Sequence, residues 1–163
     1  MKTTQVNTRI LETSTVAFMQ SGISITAAAC GEGHLPALAR AFGCQVDNHS
    51  GTVSVYVFQD QAVQLLCALD RNSSIAVVFS RPSTHETFQL KGHEVCYRTL
   101  GQASPACMTT YREAFAAELK SIGYSDAYTS ALLPQSEASV VEIQFVPVAV
   151  FNQTPGPKAG RKM

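Results

Sequence analysis

IAVVFSRPSTHETFQLKG, residues 75–92, decides how this chain is read. It opens on a continuous apolar run, Ile75 to Phe79, of the kind expected for a strand buried on both faces. A cluster dense in polar side chains follows. Beyond it Phe88 and Leu90 alternate with Thr87, Gln89 and Lys91, and the pattern continues through Val95 and Tyr97, which predicts a long strand with Gly92 as a candidate bulge. The stretch therefore reads as strand, polar turn, strand.

Upstream, Ile23, Ile25, Ala27 and Ala29 alternate with Ser24 and Thr26 as in a half-buried strand. ALARAFGCQV predicts a second strand, DNHSG at Asp47–Gly51 a hairpin turn, and TVSVYVF a β-branched third strand, so the first third reads as a meander. A short amphipathic helix is expected over Arg9–Gln20. Between Asp60, a candidate N-cap, and Asp70 the residues Val63, Leu65, Leu66 and Leu69 have helical spacing. Downstream, Met108, Tyr111, Phe115, Leu119 and Ile122 mark the clearest helix, opened by Ser104-Pro105. A shorter helix is expected from Ser125 to Leu133, stopping before Pro134. Val140–Val150 predicts the last strand, with Pro147 favouring an edge or a strand end. Six strands with helices confined to connections give an α+β fold, mostly antiparallel, that could close into a small barrel with peripheral helices. We expect one domain over residues 1–152 and a tail, 153–163, without regular structure.

The charge balance, 12 Lys+Arg against 12 Asp+Glu, lacks the basic excess that wraps a polynucleotide. No nucleic-acid partner is expected. No apolar run approaches the roughly 18 residues that cross a bilayer, and the N-terminus lacks the apolar stretch of a signal peptide, so no membrane partner and a cytoplasmic location are expected. The five cysteines, Cys30, Cys44, Cys67, Cys96 and Cys107, are odd in number and widely spaced; most are expected to be small buried hydrophobes in a reducing compartment. The four histidines have no ligand-like spacing, and the phosphate-loop, dinucleotide, nucleophile-elbow and zincin motifs are absent, so no metal site is expected.

What remains is Ser80–Gly92, with the hydroxyls of Ser80, Ser83, Thr84 and Thr87, the cations Arg81 and Lys91, the imidazole of His85 and the amide of Gln89. Such a density of donors can hold a phosphate and a polar heterocycle, and Thr87, Gln89 and Lys91 would point to one face of a strand. A polar turn between two strands is more commonly a solvated loop, and polar alternation on a strand its wet face. Arg40 interrupts an apolar strand; pointing inward it would require an anion, pointing outward it would meet only solvent. His34, beside Gly33 and Pro36, reads as a turn residue.

At these residues the chain resembles the pyridoxamine 5'-phosphate oxidase-like family of flavin-binding split β-barrels. The likeness lies in IAVVFSRPSTHETFQLKG, the helix before it, GHLPALARAFG and FNQTPGPKAG. The resemblance implies a six-stranded split barrel, a homodimer, and flavin mononucleotide (FMN) in a cleft between subunits. It implies Arg40 as a phosphate ligand, Ser80, Arg81, Thr84 and Thr87 along the phosphate or ribityl chain, and Gln89 and Lys91 near the ring. His85 is the candidate for contact with ligand chemistry. The likeness ends before the family's tryptophan- and arginine-rich C-terminus: this chain has no Trp and closes on TPGPKAGRKM. The implied function is a flavin-dependent oxidoreductase acting on a small organic molecule. The alternatives are a module that binds flavin, deazaflavin or haem without turnover, and a dimeric scaffold with an empty cleft.

Overall fold

The computed structural model describes residues 11–102, 104–133 and 139–163. Arg9 and Ile10 of the expected first helix, and Pro134, lie outside them. The described helices are α1 (Thr13–Met19), α2 (Val63–Arg71), α3 (Ala106–Ser121) and α4 (Asp126–Leu132). The strands are β1 (Ser24–Cys30), β2 (Pro36–Ala41), β3 (Cys44–Val46), β4 (Val53–Phe58), β5 (Ile75–Ser80), β6 (Thr87–Gly101) and β7 (Val140–Asn152). They form one seven-stranded sheet in the order β2-β1-β5-β6-β7-β4-β3, and each of its ladders is antiparallel. Among the described residues no helix is long and apolar enough to cross a membrane.

The expected second strand, ALARAFGCQV, is divided into β2 and β3, which stand at opposite ends of the sheet order although only Phe42 and Gly43 separate them. The Phe42 N–H donates to the Tyr56 carbonyl (2.7 Å) and the Tyr56 N–H to that of Gly43 (3.2 Å), so the chain leaves β1 and joins β4 within two residues. The sheet is therefore coiled, its two ends carried by one stretch of chain. This also replaces the expected meander, since β2 pairs with β1 and β3 with β4.

Alternation decides which side of the sheet is core. Ile25 and Ala27, Ile75, Val77 and Phe79, and Phe88 and Leu90 are buried, whereas Ser24, Thr26 and Ala28, Ala76, Val78 and Ser80, and Thr87 and Gln89 are half-buried. The apolar run 75–79 is thus covered on one face only, because the small side chains on its other face are left partly open; β4 is the strand buried at every residue. α2 packs against β1 and β2. Asp60 sits in a 3₁₀ turn, Gln59–Gln61, and Ala62 occupies the N-cap position instead. Ser104 likewise does not cap α3, whose N-cap is Pro105, while Ser125 caps α4 by accepting the Tyr128 N–H (3.2 Å).

The ladder of β6 with β7 shifts register at Lys91/Gly92, the bulge read from the sequence. A Cβ on Gly92 would lie 2.2 Å from the Phe145 ring, which explains glycine there. Its partner Pro147 is inside β7 rather than at its end, but β4 stops pairing at Phe145, so β7 is locally an edge. Of the cysteines Cys44 alone is buried; Cys30, Cys67 and Cys96 are exposed because they fall on outer strand faces or the open side of α2, which corrects the expectation.

Further along the same ladder Arg98 faces Glu142 and its Nε donates to the carboxylate (2.6 Å). Burial raises the Glu142 pKa, but hydrogen bonds from Arg98, Ser54 and Tyr56 and the Arg98 charge outweigh it and hold the group below the usual carboxylate range. A carboxyl with a depressed folded-state pKa contributes stability that is full above its unfolded value, about 4.3, and is lost as pH falls through the folded value. Glu142→Gln should therefore cost a small amount of stability at pH 7 and nothing at pH 3. Urea midpoints at the two pH values check this; an equal deficit at both would contradict it.

Candidate functional site

Residues directly opposite in a ladder share a face, so the register assembles the site. Arg40 on β2 faces Thr26 on β1, Thr26 faces Val78 on β5, Val78 faces Gln89 on β6, and Gln89 faces Phe151 on β7. At strand spacings of about 4.8 Å the three steps from Arg40 to Gln89 span about 14 Å. Ser24, Ser80 and Thr87 form a second row on one side, and Leu38, Ala28, Ala76, Lys91 and Ala149 a third on the other. The middle strands contribute only small or short side chains to these rows. The result is a shallow floor with a guanidinium at one end and an amide and an ammonium at the other.

Arg40 is the residue this face leaves unanswered. Its Nη2 reaches the Ser24 hydroxyl at 3.5 Å, and its guanidinium carbon lies 5.4 Å from the centre of the Phe115 ring of α3. Its Nη1 is buried with no hydrogen-bond partner, and no carboxylate of the described residues pairs with it. Beside it the Tyr111 hydroxyl is also buried and unpartnered, on a ring stacked on Phe115 (5.6 Å between centres). Burial pushes the Tyr111 phenol up, against the opposing pull of Arg40. A buried cationic donor without an acceptor is expensive, and an oxyanion is the group that would relieve it. Helical spacing had marked Tyr111 as core, and nothing in the pattern singled out its hydroxyl.

Arg81 is placed differently. Its Nη1 is 3.8 Å from Glu118 of α3, its Nη2 donates to the Ser21 hydroxyl (3.2 Å), and its guanidinium lies over Phe18. Glu118 also accepts from the backbone and hydroxyl of Ser83, so the turn is lashed to α3. Within that turn Arg81 N–H donates to the Glu86 carbonyl and His85 N–H to the Arg81 carbonyl, both at 2.9 Å, and His85 has a φ of 59°. The Thr84 hydroxyl accepts from the Glu86 N–H (3.3 Å). Thr84 and His85 are exposed at the tip and stand outside the rows, and the Arg81 charge is met within the chain.

The remaining expected residues lie on the face. The Ser80 and Thr87 hydroxyls are 2.8 Å apart, and Thr87 also bonds His85 O (2.9 Å). Lys91 Nζ lies 5.2 Å from the centre of the Phe151 ring. Gln153 and Thr154, which the sequence reading left in the tail, join them: Gln153 Nε2 donates to Gln89 Oε1 (3.4 Å), and Thr154 Oγ1 accepts from the Thr87 N–H (3.0 Å). Although residues 153–163 carry only an isolated bridge, between Phe151 and Lys162, the tail is tied back through Asn152 N–H to Arg161 O (2.9 Å) and Met163 N–H to Val150 O (2.8 Å). It fills the position beside β7 that β4 does not reach. That bridge brings Lys162 opposite Phe151, on the same row as Gln89 and Arg40.

No protein-family model matches this chain, and no curated protein matches it. Solved structures do. HupZ of Group A Streptococcus is similar with a TM-score of 0.53 at 13% identity, covering 92% of this chain and 99% of that one. A structure named F420 reductase is similar with a TM-score of 0.53 at 12% identity, covering 82% and 93%. A Lactobacillus delbrueckii protein provisionally named a pyridoxamine 5'-phosphate oxidase is similar with a TM-score of 0.50 at 12% identity, covering 90% and 97%. At these identities the likeness is one of architecture alone: the chain shares with these structures an α+β fold built on a mostly antiparallel sheet.

Proposed function

We propose that this protein binds flavin mononucleotide on the outer face of β2, β1, β5 and β6 and works as a flavin-dependent oxidoreductase on a small organic molecule. The observation that carries the reading is the buried, unpartnered Nη1 of Arg40, at the end of a polar row that lies on a half-open face. An anionic group there would meet Arg40 and Ser24. A ring further along would meet Gln89 and Lys91, whose donors can bias the electron affinity of a heterocycle. When bound, the flavin supplies hydride and electron exchange; the chain orients it and offers an open side for the substrate. The half-open face, with Leu38 55% exposed on it, suits a second copy of the chain, giving a homodimer that closes the split barrel over the cofactor.

A reading without turnover, in which the face holds flavin, deazaflavin or haem, is favoured by one feature: the three rows contain no carboxylate, thiol or imidazole that could serve as acid or base. A similar structure named F420 reductase keeps the deazaflavin within this alternative. The purified protein should be yellow or take up added FMN, bleach with a reductant, and release a flavin identifiable by mass spectrometry. Protein that stays colourless with FMN in excess would overturn the proposal, and bound flavin that no donor reduces faster than free flavin would select the alternative.

A further inference from the structure

Tyr111 lies on the inner face of α3, four residues before Phe115, and the two rings stack with their centres 5.6 Å apart. They are 3% and 1% exposed. Packing therefore asks only for an aromatic ring at position 111, and phenylalanine would supply it without a hydroxyl to satisfy. The Tyr111 hydroxyl is buried without a hydrogen-bond partner. Across from it, on β2, Arg40 Nη1 is in the same condition, and the Arg40 charge bears on the Tyr111 phenol. The phenol oxygen has the capacity to accept from Arg40, but the two groups are not placed for it. Glu118, further along α3, is engaged by Arg81 and Ser83. Buried polar groups are rarely left unmatched, so two neighbouring ones from different elements indicate a shared acceptor that the chain does not supply. A trapped water would answer the hydroxyl and leave the cation uncompensated.

We propose that Tyr111 is a second donor to the anion that Arg40 calls for, and that it helps make the site selective for a flavin carrying a phosphate. The identity of the ligand rests on the flavin reading; the convergence of the two donors rests on their own burial. Burial pushes the Tyr111 phenol up, so the group stays protonated and donates without placing a negative charge beside the anion. Donors from Arg40, Tyr111 and Ser24 together favour the phosphate dianion over the monoanion. α3 thus contributes to ligand recognition as well as covering the end of the sheet where Arg40 lies.

Tyr111→Phe tests this, because it removes one oxygen and keeps the stacked ring. FMN should bind the variant tenfold or more weakly, and riboflavin should bind parent and variant alike. Without ligand the thermal midpoint should be unchanged or higher. In phosphorus NMR at saturating FMN, the second ionisation of the bound phosphate should lie below its ordinary value of about 6 in the parent and move back up in the variant. Unchanged FMN affinity, equal weakening of FMN and riboflavin, an unmoved phosphate titration, or a lower midpoint in the ligand-free variant would each overturn the proposal, the last by showing that the hydroxyl has a partner within the chain. A parent that binds neither FMN nor riboflavin would instead overturn the flavin reading. Inorganic phosphate then reads the donor pair alone: it should raise the thermal midpoint of the parent more than that of Tyr111→Phe, and equal shifts, or none, would overturn the pairing.

Discussion

Gly22→Ala is expected to destabilise the protein by about 3 kcal/mol, lowering its midpoint of thermal unfolding by about 6–12 °C. Gly22 lies between α1 and β1 where the chain passes under α3. A Cβ there would be 2.3 Å from the Ala114 carbonyl carbon and oxygen and 2.6 Å from the Phe115 nitrogen. Those are backbone atoms in the middle of a helix and cannot step aside as a flexible side chain would, so α3 itself must lift. Met108, Tyr111, Phe115 and Leu119 on its inner face are all buried, and each would lose part of its packing. The same helix carries Phe115 against Arg40 and Glu118 against Arg81, so flavin affinity should fall together with stability. Thermal unfolding and FMN titration of the variant check both. A variant as stable as the parent would show that α3 is not seated on Gly22.

The second large effect is expected at Arg40. Arg40→Gln should weaken FMN binding by about 30- to 100-fold, the equivalent of 2–3 kcal/mol for charge-assisted hydrogen bonds. Riboflavin, which lacks the phosphate, should bind parent and variant alike. Without ligand the substitution should leave stability unchanged or raise it, because it removes a cation whose Nη1 is buried without a partner. Loss of binding with no loss of fold is the signature of a residue kept for its ligand. Flavin fluorescence titrations and unfolding curves measure the two effects. Equal weakening of FMN and riboflavin would place the phosphate elsewhere.

Much of this architecture was legible from local pattern. The alternation around Ile25 and around Phe88 named the core face, and Gly92 in a run of alternating residues named a bulge. What escaped depends on partners distant in the chain. ALARAFGCQV is uniformly strand-like, and only its pairing with β1 and then β4 divides it at Phe42-Gly43. Arg81 and Ser83 carry the right chemistry for a phosphate, but Ser83 and the carboxylate that engages it are 35 residues apart, and no local pattern could couple Glu118 to the turn. Gln153 and Thr154 look like tail because Pro155 and Gly156 follow; they are held by backbone bonds to β6, among them Gln153 N–H to Thr87 O at 2.7 Å. The face shared by Arg40, Ser80, Thr87, Gln89 and Lys91 follows from two-residue spacing once the register is known. The site as a set of residue types was thus readable, whereas which cations remain free for a ligand was decided by tertiary contacts.

A crystal structure of the protein grown with FMN tests the central claim most directly. The account predicts phosphate density against Arg40 and Ser24 and ring density toward Gln89 and Lys91, across the small side chains of β1 and β5. Flavin seated on the opposite half of the sheet, against Cys96 and Gln144, or a bare outer face at saturating FMN, would contradict it.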